Sequence, residues 1–194
     1  MDAEAFIGLI SSNDQDRIRR DATGLIRDYA ASFRNGGLLP SALDMPAPYR
    51  PLTNYLFLSI AHGNEETLRW VLDLEFVTPE MIGSYLNGLI MRDEVTPEMM
   101  RILFEYVQNQ PVDVEADLSV IIDLYCDGSL EKARVMSRRV RGRVAEYLHR
   151  VRNSGRRMGF AGAMVIDAIG RTRATLSSNP DILMEFEELI GERL

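Results

Sequence analysis

Tyr55-Leu-Phe-Leu-Ser-Ile-Ala-His-Gly-Asn64, followed by Glu65-Glu-Thr-Leu-Arg-Trp-Val-Leu-Asp-Leu74, reads as a helix, a glycine turn and a second helix. The next stretch repeats the plan with Met81-Ile-Gly-Ser-Tyr-Leu-Asn-Gly-Leu-Ile-Met91 and then Thr96-Pro-Glu-Met-Met-Arg-Ile-Leu-Phe-Glu-Tyr-Val107. Apolar residues recur three and four positions apart, the period of a helix with one buried face. A short signature marks the repetition: Val77-Thr-Pro-Glu-Met81 returns as Val95-Thr-Pro-Glu-Met99. Threonine caps a helix, proline suits its first position, and glutamate complements the positive end of its dipole. Two helices are therefore started by one device. The pattern predicts an all-α protein of about nine to eleven helices in stacked antiparallel hairpins, with no sheet.

Outward from this core the organisation changes. Ala3 to Ile10 and Asp16 to Phe33 form an N-terminal helix pair, the second with Ile18, Ala22, Leu25, Ile26, Tyr29 and Phe33 on one face. The turn residues Gly36 and Gly37 and the prolines Pro40, Pro46, Pro48 and Pro51 then break the periodicity. The expected segments are a helix pair over 1–33, a Pro/Gly-rich linker over 34–51 and helical-hairpin repeats over 52–144. A basic helix and capping helices follow over 145–194, all within one compact domain. Trp70, beside the stripe Leu68, Val71 and Leu72, is expected to pack in the core. Asp117 to Cys126 is almost continuously apolar and predicts a mostly buried helix.

Composition narrows the class. Hydrophobic residues make up 46% and charged residues 26%, ordinary for a globular protein. No apolar run reaches the roughly 20 residues of a membrane span, and Met1-Asp-Ala-Glu is acidic where a secretory leader would be basic. Cys126 is the single cysteine, which excludes an intrachain disulfide and points to a reducing compartment. The expected location is therefore cytoplasmic, in its own or a host's cell. His62 and His149 are far apart and supply no familiar zinc set. No nucleophile–base pattern, phosphate loop or dinucleotide fingerprint stands out. Cys126 with His149 would need a tertiary contact that spacing does not promise. No catalytic residue, metal or cofactor is expected.

Charge is unevenly distributed. Residues 1–130 hold 21 acids against nine arginines, whereas 131–173 hold 12 basic residues against three acids. The basic block either pairs with acids of the same fold or forms an exposed stripe for an acidic partner, nucleic acid or an anionic membrane. Its candidate contacts are Arg138, Arg139, Arg141, Arg143, Arg150, Arg152, Arg156 and Arg157. Only Tyr147 and Phe160 are at hand there for base stacking, and the total charge of −7 opposes nucleic acid.

The order of residue types over Tyr55 to Asp73 resembles an ankyrin repeat. Leu56, Ser59-Ile60-Ala61 and Gly63-Asn64 match the first helix and its turn, and Leu68, Val71 and Leu72 match the second. Ser84 to Tyr106 and Leu118 to Met136 repeat the pattern more loosely. The Thr-Pro-Leu-His opening is missing, and Phe57 stands where that family has histidine. The resemblance implies a degenerate ankyrin-like array whose activity is to bind another protein. Turn tips of such an array lie on one face, so His62, Asn64, Arg92, Asp93, Glu94 and Asp127 are the candidate partner contacts. A virulence or viral effector acting in host–pathogen contact, or an immunity-type protein, fits this non-enzymatic class. Nucleic-acid binding through the arginine block of 134–157 is the alternative.

Overall fold

The computed structural model describes residues 1–12, 14–34, 55–153 and 160–191. Among them are eleven helices and no strand. They are α1 (Ala3–Ile10), α2 (Gln15–Arg34), α3 (Tyr55–Ala61), α4 (Glu65–Leu72), α5 (Pro79–Ile90), α6 (Pro97–Tyr106), α7 (Val114–Asp127), α8 (Leu130–Val140), α9 (Arg143–Asn153), α10 (Phe160–Leu176) and α11 (Pro180–Ile190). The expected 34–51 linker lies outside the described residues, except for Arg34 at the end of α2. No described helix is long and apolar enough to cross a membrane.

The helix starts follow the sequence signals. Thr78 Oγ1 accepts from the Met81 amide at 3.4 Å, and Thr96 Oγ1 accepts from the Met99 amide at 3.2 Å. Pro79 and Pro97 occupy the first helical positions. The twin Thr-Pro-Glu segments thus satisfy amides that would otherwise lack partners. Glu80 is held below the usual carboxylate range by its own backbone amide and then by the Thr78 hydroxyl.

The chain divides into two compact units, residues 1–110 and 111–194. The division falls at the bend around Pro111, inside the 52–144 stretch that the sequence pattern treats as one run of hairpins. In the first unit α1 packs on α2 and α3, and α2 also packs on α3. Helix α3 packs on α4 and α5, while α6 receives both α4 and α5. Phe6, Ile18, Ile26, Leu56, Ile60, Leu68, Met81, Ile82 and Leu89 are fully buried there. Trp70 is only partly buried, so the smaller aliphatic residues fill the core that it was expected to share. Tyr29 and Tyr85 join their hydroxyls, and burial together with that bond pushes the Tyr29 phenol far above its usual range.

The second unit is arranged around α7, which packs against α8, α9 and α10; α11 packs on α9 and α10. Leu118, Val120, Ile121, Ile122, Leu124 and Tyr125 are all buried, as the continuous apolar run of α7 predicts. Gly128, at φ +86°, ends α7 in the left-handed conformation that glycine adopts without a Cβ penalty.

Gly63 is required for space. A Cβ there would collide with the Ser59 carbonyl oxygen and stand 2.8 Å from Thr67 Cγ2. Gly24, in α2, has nothing within 4 Å of its would-be Cβ. Gly63→Ala should therefore destabilise the protein by about 2 kcal/mol, whereas Gly24→Ala should stabilise it by about 0.5–1 kcal/mol. Thermal unfolding followed by circular dichroism should show the two shifts with opposite sign.

Candidate functional site

Two places gather polar side chains, one in each unit. In the first unit the turns within helix pairs α1–α2, α3–α4 and α5–α6 touch one another. Ser11 Oγ donates to the His62 carbonyl at 3.5 Å. His62 Nδ1 lies 3.5 Å from Glu94 Oε1, and Arg92 Nε lies 3.7 Å from Glu94 Oε2. Behind this line, Gln15 Nε2 donates to Thr67 Oγ1 at 3.3 Å and Arg19 pairs with Glu66 at 3.2 Å. These contacts join the first turn of α2 to that of α4. Val95, beside the outer pair, is fully buried and anchors the turn from below.

The structure thus brings His62, Arg92 and Glu94 together, with exposed Asp93 beside them. Asn64 lies on the same turn, but its Oδ1 accepts from the Thr67 amide at 2.9 Å and caps α4. Asp127 belongs to the second unit, where Oδ1 accepts from the Ser129 amide at 2.8 Å and shapes the turn after α7.

The arginine block of the second unit is split among several surroundings. Arg139 is mostly buried and pairs with buried Asp117 at 3.2 Å, tying α8 to α7. It is a structural cation, not part of an open stripe. Arg134 Nε straddles both oxygens of Glu185 at 3.0 Å, joining α8 to α11. Arg173 Nε lies 3.3 Å from Glu187, joining α10 to α11. That contact is within ion-pair distance although Nε lacks hydrogen-bond geometry. Arg143, Arg150 and Arg152 are exposed on α9, and Arg156 and Arg157 lie outside the described residues.

Arg138 and Arg141 line a cavity of about 460 Å³ with Tyr125, Arg134, Glu185, Glu188 and Leu189. Tyr125 Oη donates to Glu185 Oε1 at 3.1 Å; burial, followed by that carboxylate, pushes its phenol above the usual range. Gly191, at φ +74°, closes α11 so tightly that a Cβ would stand 2.8 Å from Ala145 Cβ. The role of Glu185 was not legible in sequence, because its partners are 51 and 60 residues away. The spacing of Arg134 and Arg138, four residues apart on α8, is the signal that marks their shared face, and Arg141 follows at the C-cap of that helix.

Cys126 is exposed, with Sγ 3.4 Å from Thr172 Oγ1. His149 Nε2 faces Asn153 Nδ2 at 2.8 Å, one helical turn along α9. The thiol and the imidazole thus have separate neighbours. No group of three potential metal ligands occurs among the described residues.

No family model, curated protein or solved structure matches this chain.

Two charge effects in α7 can be separated. Asp117→Asn leaves Arg139 without its carboxylate and should cost about 3 kcal/mol. Asp117→Leu combined with Arg139→Met removes both charges and should cost much less; denaturant unfolding measures both. Asp123 is raised above the usual carboxylate range by burial and then by Asp127, one turn away. A carboxylate whose folded pKa exceeds its unfolded value penalises the fold at neutral pH, and the penalty vanishes as pH falls below both values. Asp123→Asn should therefore raise the Tm at about pH 7 and have little effect at about pH 3. An equal rise at both would rule out the electrostatic cause.

Proposed function

We propose that the protein is a non-enzymatic protein-interaction module whose first unit is a stack of helical hairpins with an ankyrin-like plan. The contact surface is the rim formed by its turns. The observation that carries this reading is the linkage of three successive within-pair turns through Ser11, His62, Arg92 and Glu94. The packing supports it as well. Helix α3 rests on α5 and α4 on α6, so first helix meets first and second meets second. Hairpins stacked in this way place equivalent turns along one edge.

The Arg92–Glu94 pair is exposed and adds little to stability, and the His62 imidazole is half-buried beside it. Their chemistry suits recognition, because a rim held by packed helices loses little conformational freedom on binding. His62, Arg92, Asp93 and Glu94 offer both signs of charge and an imidazole within one short arc. A partner is expected to bring a complementary polar surface. The expected setting remains the cytoplasm of its own or a host's cell, where an effector or immunity-type protein would act.

Crosslinking pull-downs compare wild type with two double variants, Arg92→Glu plus Asp93→Arg and Arg138→Ala plus Arg141→Ala. The rim variant should weaken partner recovery at least about tenfold, and the arginine variant should leave it unchanged. Undiminished recovery with the rim variant would remove the proposal. Steeply salt-dependent binding of single-stranded RNA or duplex DNA, lost only in the arginine variant, would instead favour the nucleic-acid alternative.

A further inference from the structure

The cavity in the second unit has a charge arrangement that selects a kind of ligand. Arg134, Arg138 and Arg141 line one wall. Glu185 engages Arg134 through both oxygens and also accepts from Tyr125, so this end of the lining is internally satisfied. Arg138 and Arg141 are exposed, and neither has an ion pair with a described residue. Glu188 shares the lining without reaching ion-pair distance of either. Three guanidiniums against two carboxylates leave one positive charge on the lining. Leu189 and Ala145 supply apolar wall beside it. A volume of about 460 Å³ falls within the usual range of small-ligand pockets.

We propose that this cavity binds a single carboxylate carried on an apolar body, with Arg138 and Arg141 gripping the carboxylate and Leu189 contacting the body. The planar guanidinium fork matches a carboxylate edge to edge. One uncompensated positive charge matches one negative charge. Glu185 and Glu188 repel a longer polyanion, so a run of phosphates is disfavoured. The carboxylate can come from a free organic acid or from the C-terminus of a peptide. The site is independent of the rim in the first unit.

Isothermal titration of the full chain at low ionic strength tests this with octanoate, acetyl-Leu-Leu with a free carboxylate, the neutral amide of each, and inorganic phosphate. At least one carboxylate should bind and its amide should not; the tighter of the two carboxylates identifies the source. Arg138→Gln plus Arg141→Gln should weaken binding at least about tenfold. Arg143→Gln, an exposed arginine outside the cavity lining, should not. Circular dichroism checks that each variant folds; both substituted cavity positions are exposed. Equal binding of acid and amide would overturn the proposal, as would no binding of either acid. Phosphate binding that is tighter than both acids and lost in the double variant would also overturn it.

Discussion

The short helices of the first unit cannot stand alone. Helices α3, α4 and α6 have seven, eight and ten residues, and isolated helices below about 12–15 residues are marginal in water. Caps at Asn64, Thr78 and Thr96 satisfy some terminal amides but contribute only about 1 kcal/mol each. Burial of Leu56, Ile60, Leu68, Val71, Met99 and Leu103 against neighbouring helices supplies the rest. Each helix is therefore stable only as part of its stack. Because α1 packs on α3, α3 on α5 and α4 on α6, the turns between them come together. The meeting of Ser11, His62 and Glu94 follows from that packing and needs no strong bond of its own.

The second unit solves the same problem with a different arrangement. Its α7 is longer, at 14 residues, and is buried against three neighbours. That helix keeps an exposed edge at Ser119, Asp123 and Cys126, yet Asp117 lies on its buried side at 4% exposure. Arg139 makes that position tolerable, because an unpaired buried carboxylate would cost several kcal/mol. The pair is a constraint on how α8 sits against α7. Two replacement aliphatic residues could stabilise the unit as well, but would specify the register of the two helices less narrowly.

The helices were legible in the sequence because their signals are local. The stripe of α7, the twin Thr-Pro-Glu starts and the Gly63–Asn64 turn each depend on residues a few positions apart. His62, Arg92 and Glu94, singled out in the sequence as turn residues, lie together because their turns meet. Asn64 and Asp127 are turn residues as well, and each spends a side-chain oxygen on its own backbone. The fate of the arginines was not legible, because Arg134, Arg139 and Arg173 find carboxylates far along the chain. Glu187 of α11 is buried, where Arg173 accompanies it.

The division of the chain changes the meaning of its charge. A window over 131–173 is strongly basic, but the unit spanning 111–194 holds 13 basic and 13 acidic residues. The net charge of −7 resides in residues 1–110, with 16 acids and nine arginines. A nucleic-acid surface needs several cations free to displace counterions along a run of phosphates. Here Arg134, Arg139 and Arg173 are occupied by carboxylates of their own unit, and Glu188 stands in the same cavity as Arg138 and Arg141. Three arginines of the block are thus paired within the unit, while Arg138, Arg141, Arg143, Arg150 and Arg152 are exposed. Those at the cavity are interspersed with acids that narrow what can approach. An arrangement of that kind discriminates among ligands by the position and number of their charges, where a uniformly basic surface would attract any polyanion.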